Sequence, residues 1–474
     1  MTKEGYRLEH DSIGELEVRE NAYYGANALR AANNFPITGN PVDKQFIRAI
    51  VEIKKACARM NREVHLITEE EERAIEEACD KLLEGQYLDQ IIVDPIQGGA
   101  GTSFNMNVNE VIANIANESM GGKLGVYDRI HPNDHVNKGQ STNDVIPTAG
   151  KIAMIRYFRD LKEEAKKLID SVEKKAHEFD DYIKMGRTQN QDAVPIRLGQ
   201  EFAAYAQVLK RDYKRFDYAL DALKTVNLGG TAIGTGLNAD RTYVKNVVNK
   251  LDEVTGLGLE QCEDLIDGTQ NLDCYAFASS VLKTYAIDLS KIANDFRFLS
   301  SGPRTGIGEL QLPSKQAGSS IMPGKVNPVI PEVVNQTAFA VIGNDMTVTM
   351  CVEGGQLELN AFEPVCFYKI FESLRSLKGA IYTFRVNCVD GIQADKEYLK
   401  SLVERSVGIV TALAPHIGYE KSAKAAKEAI RTGKPIRELV LRDHLVSEEN
   451  LNRIFDPFEM TSPGIVAEDL LEEK

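Results

Sequence analysis

The stretch 318–328 reads GSSIMPGKVNP: two adjacent serines, a lysine and an asparagine set among two glycines and two prolines. Gly318 and Gly324 permit unusual backbone angles, and Pro323 and Pro328 limit the conformations open to the loop. Ile321 and Met322 beside the serines fit poorly with a solvated tether. A serine acts as a base only where its alkoxide is stabilised. An ammonium such as that of Lys325, together with backbone N–H groups, supplies that stabilisation in a closed, dry site. The chemistry this composition allows is abstraction of a proton beside a carboxylate, then elimination, under a loop that acts as a lid. The loop itself does not define the leaving group.

Three further segments share this polar, Gly-punctuated character: 98–109 (GGAGTSFNMNVN), 131–144 (HPNDHVNKGQSTND) and 184–195 (KMGRTQNQDAVP). Each is expected at or near the mouth of a helix, where hydroxyls, amides and free backbone N–H groups can hold carboxylates. A single segment of this kind is an ordinary capped turn, and Ser-Thr-Asn-Asp at 141–144 is good N-cap material. Four of them in one chain argue for a shared binding site.

The elements that must position these segments are helical. Leu198, Phe202, Tyr205, Leu209, Tyr213, Phe216, Leu220 and Leu223 follow one another at gaps of three or four, which marks one long amphipathic helix. Phe277, Val281, Tyr285, Leu289, Ile292, Phe296 and Leu299 repeat the pattern, as do Ile152, Ile155, Leu161, Ala165, Leu168 and Val172. Further helical stretches are expected after Pro331 and Pro364. Helices of about 25 to 35 residues span roughly 40 to 50 Å at 1.5 Å per residue, so an elongated bundle that associates through its sides is expected. Residues before about 140 read as shorter segments with many Asn and Gly breaks. Beyond about 395, short helices (421–432 and 435–442) lie between Gly and Pro turns. The expected organisation is a mixed N-terminal domain (1–142), a central long-helix bundle carrying the 318–328 loop (143–395) and a small C-terminal helical domain (396–474).

The 474 residues carry 56 Lys and Arg against 70 Asp and Glu, a formal charge of −14. Such a chain repels nucleic acid phosphates and anionic lipid heads, so neither nucleic acid nor membrane is an expected partner. A dicarboxylate would be repelled too, so its site must gather local positive charge. The seven cysteines are scattered and never spaced C-x-x-C, which fits a reduced, cytoplasmic protein. The N-terminus shows no apolar signal region, and no run of 18 apolar residues occurs. The seven histidines show no metal-ligand spacing, so no metal site is expected. GTGLNA at 234–239 mimics a dinucleotide fingerprint, yet without a convincing strand and βαβ frame it reads as a tight loop. His135 lies near the Ser141 segment, where a structural role is expected rather than a hydrogen bond within the pocket wall. Arg30 fits a surface or subunit contact equally well.

GSSIMPGKVNP resembles the signature loop of the aspartase/fumarase superfamily. The resemblance extends through GGAGTSFNMNVNEVIAN, HVNKGQSTNDVIPT, MGRTQNQDAVP, NLGGTAIGTGLN and the opening HDSIGELEVRENAYYGANALRAANNF, and so covers nearly the whole chain. VIPEVVNQ and VIGND behind the loop are similar to the aspartate ammonia-lyase branch rather than to class II fumarases, the alternative. The resemblance implies a mostly α, three-domain fold with a long central bundle. It implies a homotetramer that pools its helices into a twenty-helix core, with each active site drawn from three chains. It implies reversible conversion of L-aspartate to fumarate and ammonia, with no organic cofactor. By motif, Ser319 is the base that removes the Cβ proton to give an aci-carboxylate. Ser320 lies in the surrounding loop, Lys325 and Asn327 bind a carboxylate, and Thr102, Ser141, Thr142 and Asn143 hold the remaining oxygens. Thr188 and Gln189 complete the pocket. Many relatives resemble GRTH where this chain has GRTQ. An amide cannot donate the proton that departing hydroxide requires, whereas the amine of aspartate leaves already protonated, so Gln189 supports ammonia as the leaving group.

Overall fold

In the computed structural model, which describes residues 3–318 and 320–472, the antiparallel strands β1 (Tyr6–Asp11) and β2 (Gly14–Arg19) precede four helices. These are α1 (Ala26–Asn34), α2 (Lys44–Glu63), α3 (Glu69–Leu83) and α4 (Thr102–Ser119). Next come α5 (Thr142–Glu178), a hairpin of β3 (Ile183–Thr188) and β4 (Gln191–Arg197), and α6 (Leu198–Leu223). β5 (Thr225–Val226), α7 (Arg241–Thr255), β6 (Glu260–Gln261) and α8 (Leu265–Gln270) lead to three more long helices: α9 (Asp273–Leu299), α10 (Val329–Glu353) and α11 (Glu363–Asn387). The short helices α12 (Lys396–Arg405), α13 (Val410–Ile417), α14 (Tyr419–Thr432), α15 (Ile436–Arg442) and α16 (Glu448–Ile454) follow. The protein is mostly α, as expected.

The periodic stripes become core faces. On α6, Leu198, Phe202, Tyr205, Leu209, Phe216 and Leu223 are buried, and on α5 all six stripe residues are. On α9 the stripe is right from Val281 onward, but Phe277 is 43% exposed. The buried register there runs Tyr275, Ala278, Leu282, Tyr285, with the three-and-four spacing that leaves Phe277 off the face. α10 and α11 start before Pro331 and Pro364 rather than after them. A proline in the first helical turn forfeits no intrahelical hydrogen bond, so it opens a helix as readily as it ends one.

The N-terminal region is more helical than its asparagines suggest. α4 buries Asn105, Asn107, Asn109, Asn114 and Asn117. Asn107 bonds the backbone of Gln90 and Ile92, Asn114 that of Tyr23 and Gly125, and Asn117 that of Ile130 and Arg129. These side chains satisfy loop N–H and C=O groups that would otherwise be buried unpaired, so the asparagines fasten loops onto a helix instead of breaking it.

The chain divides into two compact units, and the five long helices contribute to both. The first comprises residues up to Glu163, Asp212–Ala286 and Thr337–Lys378. Within it, Phe216 of α6 lies against Phe158 of α5 and Tyr285 of α9, with ring centroids 6.2 and 5.2 Å apart. Ser279 of α9 donates to Asp345 of α10 at 2.8 Å, and Asn344 of α10 donates to Ser373 of α11 at 3.1 Å. The second unit comprises Glu164–Arg211, Ile287–Gln336 and Gly379–Lys474. There Phe296 of α9 stacks on Phe202 of α6 at 5.5 Å and meets Phe384 of α11, while Asn335 of α10 donates to Ser290 of α9 at 2.8 Å. Ile183, Val403, Ile409, Leu413, Ile436, Leu439 and Leu451 form a core that ties the C-terminal helices to β3.

Candidate active site

In the first unit the N-termini of α4 and α5 lie side by side. Thr102 opens α4, is exposed, and donates its hydroxyl to the Gly99 carbonyl at 2.8 Å. Gly101 before it has φ 90°, and a Cβ there would stand 3.0 Å from the Ile146 side chain of α5. Both the left-handed backbone and the close approach demand glycine. Ser141 caps α5: its Oγ accepts from the Asn143 N–H at 3.2 Å, while its own N–H donates to Asp144 Oδ1 at 2.9 Å. Thr142 is buried, and its Oγ1 accepts from Asn105 Nδ2 at 3.4 Å. Asn143 donates its amide to the Ala232 carbonyl at 2.7 Å. Thr102 and Ser141–Asn143 are therefore brought together at two helix N-termini, where partial positive charge favours carboxylates.

Asp144, which the sequence reading assigned no role beyond capping, anchors this arrangement. It is fully buried, and its second oxygen accepts from the N–H groups of Gly229 and Thr231, both at 3.0 Å. Burial pushes its carboxyl up to about 6 although the Ser141, Thr231 and Gly229 N–H groups and Lys54 pull the other way. The Gly-rich loop after β5 thus wraps a carboxylate from its own chain. β5 and β6 do pair in parallel around α7, so a miniature βαβ frame exists that the sequence reading did not find, with strands of two residues each. His135 is structural, its Nδ1 accepting the His131 N–H at 2.9 Å, and Arg30 is bound to Asp11 at 2.7 Å.

The second unit carries the other residues. Segment 184–195 is a β-hairpin leading into α6, not a helix mouth by itself. Thr188 ends β3, and the two-residue turn is Gln189–Asn190, with φ 53° and 61°. Positive angles at both turn positions give a turn whose twist matches the flanking strands. Glutamine rarely occupies that region, and its side chain is held exposed at the tip. Arg187 donates to Glu309 at 2.7 Å, and Lys184 lies 3.0 Å from the same carboxylate. Glu309 is wholly buried, so two cations of β3 are fixed by one carboxylate on the segment leading to the loop.

Ser320, Lys325 and Asn327 are all exposed on that loop. A Cβ on Gly318 would overlap the Lys325 carbonyl oxygen, so the loop closes on its own neck only because residue 318 is glycine. The Lys325 N–H donates to Met322 at 3.2 Å and the Val329 N–H to Asn327 at 2.9 Å. Ser319 lies outside the described residues. The candidate residues thus fall into two sets, Thr102 with Ser141–Asn143 in one unit and Thr188, Gln189, Ser320, Lys325 and Asn327 in the other.

A profile described as lyase matches residues 14–343, and one described as the fumarase C C-terminus matches residues 409–462. The chain belongs to the aspartase/fumarase superfamily. It is 50% identical to the aspartate ammonia-lyase of Bacillus subtilis, covering 99% of this chain and 98% of that one. It is 48% identical to the aspartate ammonia-lyase of Escherichia coli over 98% of both. Among solved structures of the superfamily, the fumarate lyase:delta crystallin of Brucella melitensis superposes with a TM-score of 0.94 at 45% identity, covering 97% of this chain and all of that one. The class II fumarase of Schistosoma mansoni gives 0.92 at 33% identity, covering 97% and 99%.

Proposed function

We propose that this chain is an aspartate ammonia-lyase, converting L-aspartate reversibly to fumarate and ammonia. The observation that carries this reading is the 50% identity, over 99% of the chain, to a relative of that name. Ser319 removes the Cβ proton, and the electrons pass into the adjacent carboxylate to give an aci-carboxylate. That intermediate is held by Lys325, Asn327 and the loop N–H groups around Ser320. Collapse of the aci-carboxylate forms the Cα–Cβ double bond as the C–N bond breaks. The amine departs as ammonia without needing a proton, so Gln189 beside Thr188 serves as a polar contact and not as an acid. Thr102, Ser141, Thr142 and Asn143 hold the second carboxylate at the two helix N-termini. Each donor aimed at a developing oxyanion is worth about 3 to 4 kcal/mol at the barrier, and a positioned base about a hundred- to ten-thousand-fold.

Each site is completed by three chains of a homotetramer. In support, Phe339, Ile342, Met346 and Met350 follow one face of α10 and are 65, 39, 64 and 67% exposed in the single chain, an apolar stripe that fits burial against other copies. The three-domain organisation expected from the sequence is the arrangement that would present this stripe. The protein works in the cytoplasm, in keeping with seven free cysteines; no helix among the described residues is long and apolar enough to cross a membrane. Absorbance of fumarate, followed with L-aspartate and with L-malate, tests the reaction. Fumarate from aspartate is expected; fumarate from malate alone would make the protein a hydratase.

A further inference from the structure

We infer that Lys54 is a positioning residue for the carboxylate cradle, locking the α4 and α5 N-termini together and placing a positive charge beneath them. The inference rests on the reading that Thr102 and Ser141–Asn143 hold a substrate carboxylate. Lys54 sits in the middle of α2 and is completely buried. Its Nζ donates to Asn105 Oδ1 at 2.7 Å, Asn137 Oδ1 at 2.9 Å and Gln140 Oε1 at 2.9 Å. Three donors meet three neutral amide oxygens, so the ammonium is fully hydrogen-bonded but touches no carboxylate.

Each acceptor belongs to a cradle segment. Asn105 lies one turn beyond Thr102 on α4, and its amide nitrogen passes the contact on to Thr142 Oγ1 at 3.4 Å and to Asn137 at 3.2 Å. Asn137 and Gln140 close the loop that delivers Ser141, with Asn137 Nδ2 donating to the Gln140 carbonyl at 3.3 Å. Lys54 is thus one bridging side chain from a candidate substrate contact. A neutral side chain could fill the space, and a buried ammonium is costly to keep, which points to a use for its charge. In a protein of net charge −14 that must hold the two carboxylates of its substrate, a cation beneath the site has such a use.

The groups facing Lys54 are few: Cys57 on α2, which accepts from the Tyr243 hydroxyl of α7 at 3.1 Å, Cys79 on α3 and Asp144 on α5. Lys138 in the adjoining loop turns its ammonium to the Asp134 carbonyl. Burial pulls Lys54 down to about 7, while Cys57, Asp144 and Cys79 pull the other way. In the free protein the cradle charge is therefore lost as pH rises through neutrality. A bound carboxylate raises the affinity of Lys54 for its proton, so affinity for a dicarboxylate falls as pH climbs past that point.

The test is calorimetric titration of the intact protein with succinate, a dicarboxylate that cannot eliminate, between pH 6 and 9. Wild type is expected to weaken by about tenfold or more in all between pH 6 and 9, levelling off once Lys54 is neutral. Lys54→Met is expected to bind about tenfold or more weakly at pH 6.5, a loss of about 1.4 kcal/mol, and to lose the weakening that titration of the lysine causes, keeping only the change made by ionisation of Asp144. Gln140→Met, which removes one acceptor from the ammonium and leaves Lys54 in place, is expected to shift the onset of weakening to lower pH. It decides the matter even if Lys54→Met does not fold. Wild-type affinity in Lys54→Met, or an unmoved pH profile in Gln140→Met, would overturn the inference. Ser141→Ala separates the two readings. If it binds succinate as wild type does, the cradle assignment fails; if it weakens binding while Lys54→Met does not, the role of Lys54 alone fails.

Discussion

Replacing Asp144 with asparagine sets three backbone hydrogen bonds against the cost of burial. The carboxylate accepts from Ser141 at 2.9 Å and from Gly229 and Thr231 at 3.0 Å each. An asparagine has one acceptor oxygen, which can serve Gly229 and Thr231 while its NH2 faces the Ser141 N–H. The variant loses one charge-assisted hydrogen bond, about 1.5 to 3 kcal/mol, and leaves opposed donors at a further cost of about 1 to 3 kcal/mol. Against this stands the penalty of ionising a buried carboxyl, held at about 6 rather than 3.8. A folded-state value raised in this way contributes stability that is complete below the unfolded value and is lost as pH rises through about 6. At pH 8 the wild type bears the ionisation penalty, and at pH 5 it has recovered roughly 1.4 kcal/mol by binding a proton. Asp144→Asn is therefore expected to cost about 1.4 kcal/mol more at pH 5 than at pH 8, measured by urea unfolding of both proteins at each pH. A difference that is flat, or larger at pH 8, would show that the three N–H groups outweigh burial and would refute the reasoning.

Three other variants probe separate parts of the structure. Gly101→Ala meets both a positive φ and the Ile146 side chain at 3.0 Å, and should cost about 1 to 3 kcal/mol in thermal or chemical unfolding while raising KM for aspartate. Glu309→Gln leaves the buried Lys184 and the largely buried Arg187 without their shared carboxylate; a loss of about 3 to 5 kcal/mol is expected in unfolding, with kcat falling as the Thr188–Gln189 turn loosens. Met346→Glu together with Phe339→Glu places charge on the exposed α10 stripe and should give a monomer in sedimentation velocity where the wild type runs as the proposed homotetramer, abolishing activity with it.

The long helices were legible because apolar residues at gaps of three and four have one structural solution, and α5, most of α6 and most of α9 bury the residues that the spacing indicates, Tyr213 and Leu220 of α6 being only partly buried. Phe277 was misplaced because a single aromatic fits two registers one residue apart, and only the neighbouring helices choose between them. The segment carrying Ser141–Asn143 was legible as cap chemistry, and that carrying Thr102 as a polar helix mouth. The hairpin at 183–197 was not, since Gln-Asn is an uncommon pair at positive φ and the strands on either side alternate poorly. Lys54 and Glu309 left no local trace: a lysine inside an amphipathic helix reads as a solvated charge until Asn105 of α4 and the amides of Asn137 and Gln140 are seen to face it. Asn105 was the available signal, because a polar run inside the apolar frame of α4 calls for buried partners.

The proposed elimination begins at Ser319. Stopped-flow and steady-state measurement of fumarate formation from L-aspartate by Ser319→Ala, with succinate affinity determined on the same sample, tests it. A fall in kcat of about a hundred- to ten-thousand-fold with succinate binding intact is the predicted result. Turnover of aspartate at the wild-type rate would contradict it.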